Sequence, residues 1–235
     1  MEERRKSILT VLLNAQEEER RRISREIHDD LGPRIWEIGF HIREIAASTE
    51  LPKSIRSKLQ EVTLKTTELG NVIRNLSHQL HSPVLEIAGL AAGLRALCRE
   101  FQDKLGIPII FTSRSDLKNV QGEIALCLYR IAQESLTNIG KHSRARNATV
   151  EILRTLRKIH LRISDSGIGF SLGSQTGNGL GLISMMERAQ LLDGSLQIRT
   201  HRGGGTQVHA SLPLLRGTPS RVRSGAQAVT ATQRI

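Results

Sequence analysis

Two long apolar seams constrain this chain more than any other feature, because the segments that carry them cannot bury them alone. Ile23, Ile27, Leu31, Ile35, Ile38, Ile42 and Ile45 recur at helical spacing in an otherwise charged stretch. Ile8, Leu12 and Ala15 continue that seam weakly upstream, so residues 1 to about 48 are expected to form one long helix. Pro33 removes one backbone donor and is expected to bend it. Glu50-Leu51-Pro52-Lys53 reads as a turn, and a second helix follows on Ile55, Leu59, Val62, Leu69, Val72, Ile73, Leu76 and Leu80. Two such helices joined by a short turn make an antiparallel hairpin. Pairing two hairpins into a four-helix bundle would cover both seams, so a homodimer is expected.

His28 lies one step past Ile27, off the seam and toward solvent, with Asp29 and Asp30 beside it. An exposed histidine with an adjacent acid is a candidate nucleophile. Histidine side chains are largely neutral near pH 7, and a neighbouring carboxylate can hold one ring nitrogen while the other attacks. His41, His78 and His81 lack that setting and read as structural.

After Pro83 the pattern becomes mixed. Helices are expected over 90–101, 120–142 and 180–192, and strands over 107–112, 148–156, 159–164, 195–200 and 206–212. Ile159, Leu161 and Ile163 alternate with His160, Arg162 and Ser164, so one face of that strand is buried. The expected architecture is α+β, an α/β sandwich with helices on one face of a mixed sheet. Residues 216–235 are rich in Ser, Thr, Gly and Arg and are expected to be a disordered basic tail.

Composition narrows the function. Aromatic residues make up only 3% of the 235, which argues against a base-stacking RNA module. The net charge of +11 is scattered and interleaved with acids, as on solvated helix faces, so no direct nucleic-acid partner is expected. Cys98 and Cys127 fall in apolar helical stretches and read as buried reduced thiols of a cytoplasmic protein. No apolar run is long enough to span a membrane.

Downstream, Asp165-Ser166-Gly167-Ile168-Gly169-Phe170 ends a buried strand with a carboxylate and two glycines. Gly177, Gly179 and Gly181 then lead into a helix whose first amides can face phosphate. Neither a P-loop nor a strand-led Rossmann fingerprint is present. Glu134, Asn138, Lys141 and His142 fall at helical spacing on one stripe, which alone would be a solvated face. Beside two glycine-rich loops, their carboxamide, carboxylate and cation can hold Mg²⁺ and phosphate oxygens.

Five of these segments, in this order, resemble the two-component sensor histidine kinases of the NarX/DesK-type branch. They are RISREIHDDLG at 22–32, YRIAQESLTNIGKHS at 129–143, DSGIGF at 165–170, GNGLGL at 177–182 and GGT ending at Thr206. The resemblance covers nearly everything from Glu17 to Pro213 and implies a Bergerat-fold ATP-binding domain. It divides the chain into an N-terminal signalling helix (1–16), a dimerisation and phosphotransfer hairpin (17–84), a catalytic domain (85–215) and the tail. It implies ATP and Mg²⁺ as cofactors, and autophosphorylation at His28. The phosphoryl group would then pass to an aspartate of a LuxR-type response regulator.

Matching positions inherit roles from the resemblance. His28 would be the phosphoacceptor and Asp29 its orienting carboxylate. Glu134 would position reacting groups, Asn138 would ligate Mg²⁺, and Lys141 and His142 would contact phosphates. Asp165 would accept from the adenine amino group, with Gly167 and Gly169 beside it. Gly177, Gly179 and Gly181 would border the phosphates, and Thr206 would close the adenine pocket. Phe170 to Gly177 implies a short ATP lid. Phosphatase-competent members carry Gln or His five residues after the phosphoacceptor. Pro33 stands there, so little phosphatase activity of that type is expected. Other classes remain in view: a nucleotide-binding scaffold without phosphotransfer, another Bergerat-fold enzyme such as a serine kinase or ATPase, and a DNA-binding protein with steep salt dependence.

Overall fold

The computed structural model describes residues 2–48, 51–120, 122–170 and 179–214. Helix α1 (Glu2–Glu26) runs into one π-helical turn, Ile27–Leu31, and on into α2 (Gly32–Ala46). The Gly32 amide donates to the Ile27 carbonyl, five residues back. Pro33 has no N–H for the helix ladder, and the wide turn just ahead of it carries the helix past that gap. Ile23, Ile27, Leu31 and Ile35 are spaced by four each time, which drifts forward on a 3.6-residue helix by about 40° per step. The wider turn absorbs that drift and keeps the seam on one side.

Helix α3 (Lys53–Leu80) packs back along this helix as the expected hairpin. Small residues let the two approach. Ser24 Oγ donates to the Ser77 carbonyl at 3.0 Å and Ser77 Oγ returns to the Ser24 carbonyl at 3.1 Å, with both residues buried. Further along, Gly39 faces Thr66 and Gly70 faces Ile35. Leu31, Ile38, Ile45, Val62, Leu69 and Leu76 nevertheless stay 44–54% exposed. One hairpin therefore leaves half of its apolar stripe in water.

Pro83 starts a helix instead of a linker. Helix α4 (Pro83–Leu105) begins with proline in its first turn and with Ser82 as N-cap, whose Oγ accepts from the Leu85 amide at 3.4 Å. Gly89 breaks it at φ 80°, so its main body begins at Leu90 as the apolar pattern indicates, and Gly106 ends it at φ 67°.

The remainder is a two-layer α/β sandwich. Its strands are β1 (Ile109–Ser113), β2 (Ala148–Arg154), β3 (Lys158–Asp165), β4 (Ser195–Thr200) and β5 (Thr206–Pro213). They lie in the order β1-β2-β3-β5-β4, with β1 parallel to β2 and every other pair antiparallel. Helices α4, α5 (Gly122–Asn138) and α6 (Leu180–Leu191) cover one face. Alternation in β3 is as expected: Ile159, Leu161 and Ile163 are buried against Leu128, Ile131 and Leu136 of α5, while Arg162 is exposed. A π-helical turn, Ile139–Ser143, ends α5. Cys98 and Cys127 are free and buried, and burial pushes both thiols up to about 12. Among the described residues no helix is long and apolar enough to cross a membrane.

Leu161 has no exposure and Leu156, in the β2–β3 turn, is 97% exposed. Leu161→Ala is expected to destabilise the sandwich by about 2–5 kcal/mol and Leu156→Ala by less than about 0.5 kcal/mol. Urea unfolding followed by circular dichroism distinguishes the two.

Candidate functional site

A cavity of about 380 Å³ opens between α5, α6 and the adjoining ends of β3 and β5. Its apolar walls are Ile139, Ile163, Ile168, Leu182, Met185, Ile198 and Val208, and its polar residues include Glu134, Ser135, Asn138, His142, Asp165 and Thr206. Apolar walls around a few placed polar groups are the usual make-up of a small-molecule site. Ile163, Ile198 and Val208 reach it from the sheet, and Leu182 and Met185 face them from α6.

Asp165 is the last residue of β3 and pairs with Thr206 at the start of β5. Its Oδ1 accepts from the Gly167 amide at 2.7 Å, and the Thr206 amide also donates to the carboxyl group. Burial raises its pKa above the ordinary aspartate value, and those two amide bonds pull the other way without cancelling the rise. The loop after it is held by backbone bonds. Ile168 donates to the Ser143 carbonyl at 2.8 Å, and Gly203 donates to the Ile168 carbonyl at 2.7 Å. A Cβ at Gly167 would overlap Ser143 and the Asp165 carboxylate. Gly169 sits at φ 59° with the His201 carbonyl where a Cβ would go, so both conformation and space demand glycine there. Thr200 Oγ1 is 3.2 Å from Thr206 Oγ1 and receives the Phe170 amide at 3.0 Å, tying this loop to the β4–β5 turn.

Opposite Asp165, the Glu134 carboxylate occupies the space that a Cβ on Gly181 would need. Gly179 is the N-cap of α6, and its carbonyl accepts from Leu182 at 2.9 Å. The structure thus brings together Glu134, Asn138, His142, Asp165, Gly169, Gly179, Gly181 and Thr206 around one cavity. Gly167 lies behind Asp165, and Lys141 is exposed and does not line the cavity. The single stripe expected for Glu134, Asn138, Lys141 and His142 is broken by the π-helical turn, which rotates Lys141 off it. Gly177 and most of the expected lid fall outside the described residues, as does the tail.

His28 and Asp29 stand exposed on the π-helical turn of the hairpin, away from this cavity. Asp30 is engaged by Arg34 at 2.7 Å, leaving Asp29 the carboxylate next to His28 without that partner. Sequence reasoning missed the apolar walls, since Ile198, Val208 and Met185 look like ordinary core. It also missed Arg130, a buried cation inside the apolar pattern of α5 whose very placement was the available signal. Among the described residues no group of three or more His, Cys, Asp and Glu could hold a metal. The donors present suit a cation that takes one protein oxygen, with phosphates and water completing its shell.

The chain thus joins a hairpin bearing an exposed histidine to a sandwich with a cavity between its helices and the covered face of its sheet. Residues 19–85 match the histidine kinase family HisKA_3, and residues 123–216 match the histidine kinase-, DNA gyrase B- and HSP90-like ATPase family. The chain therefore carries a histidine kinase HisKA_3 domain followed by a histidine kinase-, DNA gyrase B- and HSP90-like ATPase domain. It is 31% identical over 204 residues to the oxygen sensor histidine kinase NreB of Staphylococcus carnosus, covering 86% of this chain and 58% of that protein. The chain thus spans less than two thirds of that relative. The blue-light activated histidine kinase of Erythrobacter litoralis superposes with a TM-score of 0.50 at 20% identity, over 70% of this chain and 64% of that one.

Gly169→Ala forces a side chain into left-handed backbone against a carbonyl. It is expected to cost about 1–3 kcal/mol of stability in thermal unfolding. Gly203, which also has positive φ but open space around it, is expected to lose about 1–2 kcal/mol on the same change, the backbone strain without the clash.

Proposed function

We propose that this chain autophosphorylates His28 from Mg-ATP and passes the phosphoryl group to an aspartate of a response regulator, of the LuxR-type output class. The observation that carries the reading is the combination, in one chain, of the exposed His28–Asp29 pair with an apolar-walled cavity that holds the Asp165 carboxylate at a strand end. When bound, ATP supplies the phosphoryl group and Mg²⁺ neutralises charge on it.

The chain's own residues do the rest. Asp29 accepts a hydrogen bond from one His28 ring nitrogen, which fixes the tautomer and leaves the other lone pair free. That nitrogen forms the new N–P bond as the bond to the leaving phosphate oxygen breaks. Asp165 accepts from the adenine amino group, Gly167 and Gly169 let the loop beside it pack closely, and Thr206 closes that end of the pocket. Asn138 ligates Mg²⁺. His142, Gly179 and Gly181 border the phosphates, and Glu134 positions the reacting groups. Catalysis of this kind rests on positioning and charge neutralisation more than on covalent chemistry by the protein.

The half-exposed stripe of the hairpin supports a homodimer in which two hairpins form a four-helix bundle. In this reading residues 1–16 form a signalling helix, 17–84 the dimerisation and phosphotransfer unit, and 85–215 the catalytic domain. The working compartment is the cytoplasm.

Incubation with γ-labelled ATP and Mg²⁺ is expected to give acid-labile, alkali-stable label that His28→Gln abolishes. Label persisting in that variant would move the phosphoacceptor elsewhere. A pH series adds a separate check. Because Asp165 has a raised pKa in the fold, the folded state binds the extra proton first, so stability falls as pH rises through that window. Nucleotide affinity should run the other way, weakening on acidification as the acceptor carboxylate is protonated. The affinity gap between the parent and Asp165→Asn should therefore shrink at low pH, as read by titration with a fluorescent adenine nucleotide.

A further inference from the structure

The face of the sheet opposite α4, α5 and α6 carries a groove of its own, of about 320 Å³. Strand alternation separates it from the cavity described above. Ile163 and Val208 line that cavity, so Arg162 and His209, each one residue along the same strand, point to the other side. Strand register brings chemistry-bearing residues together there. Glu151, Arg162 and His209 are neighbours across β2, β3 and β5, and Leu153 and His160 are neighbours in the next row. The rings of His160 and His209 stack diagonally between these rows, with centroids 5.6 Å apart and 20° between their planes. Arg114, the residue after β1, reaches the same groove.

The charges here are unbalanced. Among the described residues that line the groove, Glu151 is the one acid. Its Oε1 is 3.8 Å from Arg114 Nη2 and its Oε2 is 3.6 Å from Arg162 Nη1, both too long for hydrogen bonds. Both guanidiniums stay more than half exposed, so most of their N–H donors are open to a ligand. Burial, then the charges of Lys158 and Arg162, hold the His160 ring below the ordinary histidine value. Burial, then His160, Arg162 and Arg199, do the same to His209. Both rings are therefore largely neutral at pH 7, which lets them stack without charge repulsion. A dication would enter this field against Arg114, Lys158, Arg162 and Arg199. An anion gains from all of them, and gains again by restoring the protonated form of the histidines.

We propose that this groove binds a phosphate group, free or carried as an ester by a small molecule, between Arg114, Arg162 and the His160–His209 stack. The site is separate from the nucleotide cavity and does not depend on the kinase reading. Guanidinium forks match phosphate oxygens in pairs. Each imidazole gains a second N–H donor on protonation. Leu153, 42% exposed at the groove, offers apolar surface to a group that carries the phosphate. Glu151 sets the threshold, because an incoming phosphate competes with it for both guanidiniums. Binding takes up protons: the bound dianion raises ring pKa values that start low, so affinity rises as pH falls through the window between the free and bound values. Of the groups that face the rings, Arg114, Glu151, Lys158, Arg162 and Arg199, none is of a type that titrates at roughly pH 6–7.

The test follows the ring Cε1–H resonances of His160 and His209 by NMR in the full chain, assigned with His160→Gln and His209→Gln. The probes are sulfate, inorganic phosphate and phenyl phosphate. Sulfate keeps both its charges throughout, so it isolates proton uptake by the protein. Both resonances are expected to shift saturably, with sulfate affinity rising about tenfold between about pH 7.5 and about pH 5.5. Arg162→Gln is expected to weaken every probe by about tenfold while the amide spectrum of the sheet stays that of the parent. If that variant does not fold, Arg114→Gln carries the same expectation from the exposed edge of the groove. At about pH 7.5, tighter binding of phenyl phosphate than of inorganic phosphate supports the site with an ester as its ligand, and equal or weaker binding supports it with free phosphate. Shifts that grow linearly with concentration, as salt screening gives, would overturn the site. So would a sulfate affinity that is the same at both pH values, or one that the folded arginine variant leaves unchanged.

Discussion

The constraint on which the rest of this structure depends is that helix α5 is buried on more than one side. A sheet with one apolar face needs a cover, and Leu128, Ile131 and Leu136 provide it with no exposed surface of their own. At about 100° per residue the same helix must present other positions in other directions. Arg130 points to the hairpin, and Glu134 and Asn138 reach the cavity. Core, site and domain junction are thus three faces of one rigid rod, and none of them can be shifted without moving the others.

Burying Arg130 is tolerable only because its donors are so fully used. Four go to Glu17 and to the carbonyls closing α3, and the fifth reaches Gln133 Oε1 at 2.7 Å. Burial opposes ionisation of Glu17, yet the Arg130 hydrogen bond and the charges of Arg130 and Arg188 outweigh it and hold the carboxyl below the usual glutamate range. A single uncharged partner would leave this site unstable. The Glu17 carboxylate is thus held by two guanidiniums directly, with the charge of Arg20 acting on it as well.

The fold was legible wherever a periodic apolar pattern meets a single partner. The hairpin, the alternation of Ile159, Leu161 and Ile163, and the order of helices and strands follow from spacing alone. The site was legible where chemistry forces residue type: Asp165 at a strand end, and glycine at position 169 where backbone and space both exclude a side chain. It was less legible where helix phase changes. The stripe from Glu134 to His142 assumed 3.6 residues per turn, and the π-helical turn at Ile139–Ser143 sends Lys141 elsewhere. The start of α4 at Pro83 was hidden because proline reads equally as a breaker and as a first-turn residue. Arg130 was hidden because its partner lies 113 residues away in the chain.

The π-helical turn at Ile27–Leu31 has one more consequence. It holds a residue that an ordinary helix of the same rise would not need, immediately upstream of Pro33. If that surplus residue were deleted or melted into α-helical geometry, everything before it would rotate by about 100° against everything after it. Ile23 and Ser24 would turn off α3, and Glu17 would swing away from Arg130. The surplus residue therefore works as a phase gauge, setting the angular register between the half of the helix that is anchored to the sandwich and the half that runs out along α3.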